Sequence, residues 1–85
     1  MDAPRLDSNQ CSVLIAEYAT GHVCKKDLSV YRNFEDKNEV FQIFDTEKEA
    51  RQFATGLISK KPDYECVIYD HQGDHVETYD KNGIR

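Results

Sequence analysis

Glycine-rich loops, paired cysteines, clustered basic residues and long apolar runs are all missing from this sequence, and each absence closes a route to function. Gly21, Gly56, Gly73 and Gly83 stand alone, so no phosphate-cradling loop is available. Cys11, Cys24 and Cys66 are odd in number and lack C-x-x-C spacing, which gives neither a disulfide framework nor a redox pair. Free thiols suit a reducing compartment, and a cytoplasmic location is expected. Lysines gather no further than the pairs Lys25, Lys26 and Lys60, Lys61, and 16 acidic against 11 basic residues leave a net charge of -5. A phosphate backbone needs a concentrated basic face, so direct nucleic-acid binding is not expected. No apolar stretch nears the roughly twenty residues of a membrane helix, and Met1 to Gln10 is polar and acidic rather than basic and apolar like a signal peptide. A chain of 85 residues has room for one modest core but not for the deep cleft of a two-domain enzyme. An enzyme is not expected, and no cofactor is implied.

What is present is strongest from Phe44 to Tyr79. Thr46, Glu47, Lys48 and Glu49 carry the spacing in which a threonine hydroxyl accepts from the backbone N–H three residues on, a helix start. Ala50, Phe53, Ala54, Leu57 and Ile58 then fall on one stripe at i, i+3, i+4, i+7 and i+8. Glu47 and Arg51 face each other four apart, Glu47 and Glu49 meet the positive end of the helix dipole, and Lys60 and Lys61 meet the negative end. Pro62 closes the helix near Lys60. Cys66 to Tyr69 is a β-branched and aromatic run, Gln72 and Gly73 supply turn chemistry, and Val76 to Tyr79 alternates again, so a β-hairpin follows. Gly56, inside the helix, suggests close approach to the sheet or to a partner.

Upstream, residues 1–11 read as a loose tail ahead of a single domain over 12–85. Ser12 to Ala19 is apolar and is expected to be a strand, with a short helix as the other reading. Leu28 to Phe34 and Val40 to Phe44 read as two strands joined by the polar turn Glu35 to Asn38. Because both faces of Val40 to Phe44 are partly apolar, that strand is expected inside the sheet. Within that domain the last residues, Asn82 to Arg85, are a candidate for disorder. The predicted fold is α+β: an antiparallel sheet of four or five strands, in β-ββ-α-ββ order, with the helix Thr46 to Lys60 packed on one face.

One helix stripe covers one sheet face. Tyr18, Tyr31, Phe41, Tyr64, Tyr69 and Tyr79 are more aromatic groups than it can shelter, so some are expected on the uncovered face, where a partner or a second copy could bind. The acidic residues are also concentrated: Asp63, Glu65, Asp70, Asp74, Glu77 and Asp80 lie between Pro62 and Lys81 without a Lys or Arg among them. A solvated hairpin explains this run, and an acidic docking face is the sharper reading.

The junction Val40-Phe41-Gln42-Ile43-Phe44-Asp45-Thr46-Glu47-Lys48-Glu49-Ala50 resembles short bacterial domains of unknown function with a ββαββ order, whose helix opens on a similar F-x-T-x-x-E-A phrase. The likeness continues into Val67 to Gly73, an apolar strand followed by a polar turn with glycine, and covers roughly Ser29 to Tyr79. It implies a fold and transfers no catalytic residue, ligand or partner. The chain departs from it in the added segment Ser12 to Ala19 and in the wholly acidic last hairpin.

Candidate chemistry is thin. Asp70, His71, Asp74 and His75 offer imidazole and carboxylate in one turn, but a divalent metal would need a further ligand from elsewhere, which His22 and Cys24 could add only if the first loop folded over it; a solvated turn is the favoured reading, and no metal ligand is assigned. Cys24 with His22, or Cys66 with His71, would need an oriented base and an oxyanion donor to act as nucleophiles. Cys24, ahead of two lysines, would be the more thiolate-like if exposed. The leading expectation is a non-enzymatic protein-interaction module, binding a protein partner or forming a homodimer through an exposed sheet face, an edge strand or the acidic hairpin, with Tyr31, Phe41, Tyr69, Asp74, Glu77 and Tyr79 as its contact residues. The alternatives are an acidic, antitoxin-like inhibitor masking a basic surface of a nuclease or polymerase, and a small metal-binding protein.

Overall fold

The structure, a computed structural model, describes residues 3–32 and 37–84, with Lys37 described by its backbone alone. Its central strand is β1 (Cys11–Glu17), buried from Cys11 through Ala16. Successive side chains leave opposite faces of a sheet, and β1 is apolar on both: Cys11, Val13 and Ile15 join one core, Leu14 and Ala16 the other. A strand with two dry faces belongs inside a sheet, and both edges of β1 are paired. β4 (Tyr64–Tyr69) runs antiparallel along one edge, from Ser12 to Glu17. The other edge is shared end to end, by β3 (Gln42–Phe44) against Cys11 to Val13 and by β2 (Val23–Cys24) against Ile15 and Ala16. Beyond β4 come β5 (His75–Asp80) and β6 (Gly83–Ile84). The sheet has six strands, all pairs antiparallel, with one helix packed on it, so the fold is α+β as predicted with a slightly larger strand count.

The helix α1 (Glu47–Lys60) forms as its sequence dictates. Thr46 is extended at the N-cap, its hydroxyl accepts from Glu49 N at 3.2 Å, and Ala50, Ala54 and Ile58 are buried along the stripe. They meet Val13, Ile15, Cys24, Cys66, Ile68 and Tyr79 in the main core, with Phe44 and Phe53 stacked obliquely at 5.2 Å beside it. Gly56 plays no part in that packing. It is exposed, and a Cβ there would meet nothing within 4 Å, so the close approach expected of it is not found.

Three expectations outside the helix need correction. The strand predicted over Leu28 to Phe34 does not form where it is described: Ser29 N and Oγ donate to Asp27 Oδ1 at 3.0 and 2.6 Å, and Leu28 takes a left-handed φ of 74°. Local side-chain hydrogen bonds have displaced the ladder, leaving Val30 a lone bridge to Cys24; Asn33 and Phe34, and Glu35 and Asp36 of the predicted turn, lie outside the described residues. Next, β3 is an edge strand and not an interior one. Its apolar neighbours Val40 and Phe41 instead fold over the face opposite the helix. Finally, Asn82 and its successors do not fray: Asp80 Oδ1 accepts from Asn82 N at 2.7 Å and Gly83, at φ 118°, returns the chain as β6, while Arg85 lies outside the described residues.

The face opposite the helix is therefore not bare. Leu14, Ala16, Val40 and Phe41 form a second, smaller core, flanked by Ala3, Val23, Tyr31, Val67 and Tyr69. Along the segment expected to be a tail, Leu6 N donates to His71 O at 2.8 Å, and Ala3 O lies 3.2 Å from where a Cβ on Gly73 would stand.

Candidate functional site

The six residues expected to make contacts do not assemble into one surface. Phe41 is only 6 % exposed, its ring edge-on to Tyr69 at 6.2 Å, and Tyr79 is likewise 6 % exposed in the main core. Both are packing residues. Tyr31 and Tyr69 are half-buried around the second core, and burial pushes the Tyr69 hydroxyl upward from its ordinary pKa. Asp74 is exposed at the β4–β5 turn, where its carbonyl accepts from Asp70 N at 2.9 Å. Glu77 stands directly opposite Ile68 on the β4–β5 ladder, on the helix side of the sheet, and accepts from Arg51 Nη2 at 2.8 Å and Nε at 3.1 Å.

That last contact shows where the acidity of the hairpin goes. Arg51 also reaches Glu47, so one guanidinium from α1 ties two carboxylates. Its hydrogen bonds hold Glu77 below the usual carboxylate range. Asp70 is lowered too, first by the Asp74 backbone N–H and then by that of Gln72, which donate to its Oδ1 at 3.0 and 2.9 Å and fold the turn. Asp80 is buried and holds the β5–β6 turn. Three of the six charges that looked like a face in the sequence, Asp70, Glu77 and Asp80, thus serve separate intramolecular contacts, while Asp63 and Asp74 are exposed.

The chemical candidates come apart in the same way. Burial raises the Cys24 thiol, and its Sγ donates to the carbonyl of His22 at 3.6 Å while the His22 ring turns to Glu17, 3.5 Å away. Cys24 is buried, so the exposure on which a thiolate-like character depended is not met. Cys66 is pushed up to about 12 by burial, and Cys11 is also raised by burial. In the turn, His75 engages Thr78 Oγ1 at 2.9 Å, and among the described residues no three His, Cys, Asp or Glu side chains stand close enough to hold a metal ion.

What the structure does expose lies elsewhere. Among the described residues the large hydrophobic side chains left in solvent are Val30 at 42 %, Ile43 at 47 % and Ile84 at 63 %. Val30 bridges β2, Ile43 is the middle of β3 and Ile84 ends β6, so all belong to the two lateral edges of the sheet. Beside Ile84 an apolar groove of about 460 Å³ opens between α1 and β6, over Ile58, Pro62 and Tyr79. A second cavity of about 370 Å³ adjoins it, sharing Pro62 and Lys81 and lined by Glu17, Tyr18 and Asp63. Sequence reasoning placed Ile43 inside the sheet and Ile84 in a frayed end. Ile43 lay in a short run apolar on both faces and Ile84 stood alone beside Gly83, and periodicity over so few residues places neither. Comparison with protein families, curated proteins and solved structures finds no match to this chain. Among the described residues no helix is long and apolar enough to cross a membrane.

Proposed function

We propose that the chain is a non-enzymatic protein-interaction module that engages its partner, or a second copy, along a lateral edge of its sheet. The observation that carries this reading is the placement of Val30, Ile43 and Ile84: among the described residues every large apolar side chain found in solvent sits on an edge element and none in the middle of a face. Edge backbone is a template for an added strand, and natural sheets blunt it with charge or proline. This chain puts branched aliphatic residues there instead. Buried thiols with raised pKa values favour binding over bond-making, and three free cysteines favour a reducing, cytoplasmic setting. The acidic-inhibitor reading draws less support, because Asp70, Glu77 and Asp80 are engaged internally.

A displayed-peptide selection against the immobilised chain tests the proposal, with Ile43→Lys and Ile84→Lys as counter-targets. Peptides that bind the parent chain and lose binding on one of these variants are expected. Ligands indifferent to both, or bound through Tyr69 and Val67 on the second face, would overturn it. Light scattering of the same set reads out self-association, which Ile43→Lys or Ile84→Lys should abolish if the partner is a second copy.

A further inference from the structure

At the β5–β6 turn stands the chain's one Asn-Gly step, Asn82-Gly83, and both residues are exposed. Asn9, Asn33 and Asn38 are followed by Gln10, Phe34 and Glu39, whose side chains hinder the backbone nitrogen from closing on the amide before it; glycine leaves that nitrogen open. Gly83 takes a φ of 118°, and a Cβ there would meet nothing within 4 Å, so the glycine side of such a closure is uncrowded. The Asn82 amide is also held in place. Asp80 Oδ1 accepts from Asn82 N at 2.7 Å, and Asn82 Nδ2 donates to the Tyr18 hydroxyl at 2.6 Å. Lys81 Nζ lies 5.0 Å from the centroid of the Tyr18 ring, which keeps that hydroxyl at the turn. The nitrogen that would leave as ammonia therefore touches an O–H that can supply its proton.

We propose that Asn82 is a self-modifying site, converted in the folded chain to aspartate and isoaspartate with Tyr18 as the proton donor. Hydroxide takes the proton from Gly83 N, that nitrogen bonds to Asn82 Cγ, and a tetrahedral carbon forms in which Nδ2 has become an amine. The Tyr18 hydroxyl protonates Nδ2 as the Cγ–Nδ2 bond breaks, ammonia departs, and water returns the phenol proton, regenerating hydroxide. Water then opens the cyclic imide: cleavage at Cγ gives aspartate, and cleavage at the carbonyl carbon of Asn82 gives isoaspartate. Isoaspartate routes the backbone through its side chain, one methylene longer, and sets a new carboxylate near the buried Asp80. β6 is held by two pairs alone, Tyr79 with Ile84 and Asp80 with Gly83, so its register is lost. The reaction is a slow, one-way release of the last strand, whatever binds the sheet edges.

The experiment incubates the folded chain from neutral to mildly alkaline pH beside a blocked peptide of residues 79–84, and follows both by peptide mapping with enzymatic methylation of isoaspartate. Isoaspartate is expected at Asn82 and at no other asparagine, forming at a rate that rises with pH and equals or exceeds the peptide's. Tyr18→Phe keeps the ring under Lys81 and should slow conversion about tenfold, short of the roughly 10²–10⁴-fold of an enclosed donor because water competes at an exposed turn. Asn82→Gln should stop it, since the larger ring closes far more slowly. Amide exchange of the converted chain should lose its protection in β6 while β1 and β4 keep theirs. A folded chain that converts more slowly than the peptide, a Tyr18→Phe variant that matches the parent, or a converted chain with β6 still protected would overturn the inference.

Discussion

Ser12 sits in the middle of the sheet, opposite Tyr69 on one neighbour and Ile43 on the other, fully buried with a hydroxyl that has no hydrogen-bond partner among the described residues. A buried hydroxyl without a partner costs roughly 1–3 kcal/mol, and alanine fills nearly the same space. Ser12→Ala is therefore expected to raise stability by about 1 kcal/mol in chemical denaturation. Glu77 gives the opposite case, a polar group whose partner defines it. Its folded pKa lies below the ordinary value near 4.5, so its contribution is fully present above that value and is lost as pH falls through the depressed one. Denaturation midpoints measured from pH 7 to pH 3 should fall less steeply for Glu77→Gln than for the parent chain, with the variant already less stable at neutral pH. None of this was legible in the sequence, because an Arg51–Glu77 contact depends on which strand lies under which turn of the helix.

At the scale of elements, legibility tracked the number of agreeing local signals. The helix had a cap, a stripe, ordered charges and a following proline, and it appears from Glu47 to Lys60 as read. The last hairpin had two β-branched runs about a glycine turn and also appears, with a bulge between Ile68 and Tyr69. The segment after Cys24 had only composition in its favour. There Asp27 and Ser29 close a turn on themselves, and a strand lost the competition. The helix offers a paired test of its own logic. Thr46→Ala removes the cap and should cost about 1 kcal/mol. Gly56→Ala, at an exposed interior position where the added methyl meets nothing, should return about the same amount. Both are read from denaturant midpoints, and a destabilising Gly56→Ala would show that this helix face is not free.

For the whole molecule, the weight of the fold rests on β1. Ile15 is nearly inaccessible between Cys24 and Cys66 on the neighbouring strands, under the helix. Ile15→Ala should cost about 2–5 kcal/mol, a large share of the roughly 4–13 kcal/mol expected for a chain of this length. Ile43→Lys, by contrast, should stay within about 0.5 kcal/mol, so that any effect on association is separable from folding. The sequence signalled a strand at Ser12 to Ala19 but not its rank. Both-sided apolarity was legible there as well as in Val40 to Phe44, and only long-range pairing decided that the first would be the centre and the second a margin with two residues folded over it. The candidate site was invisible for the same reason, since an edge is a property of the completed sheet.

One flank of β1 is covered by two short pieces laid tip to tip, meeting across from Leu14. Such a seam is expected to act as a joint, with the Val23–Cys24 piece detaching while Gln42 to Phe44 stays in place, or the reverse. Amide exchange along β1 should accordingly fall into two independently protected groups on either side of Leu14, and a visiting chain could borrow half the flank without unravelling the rest.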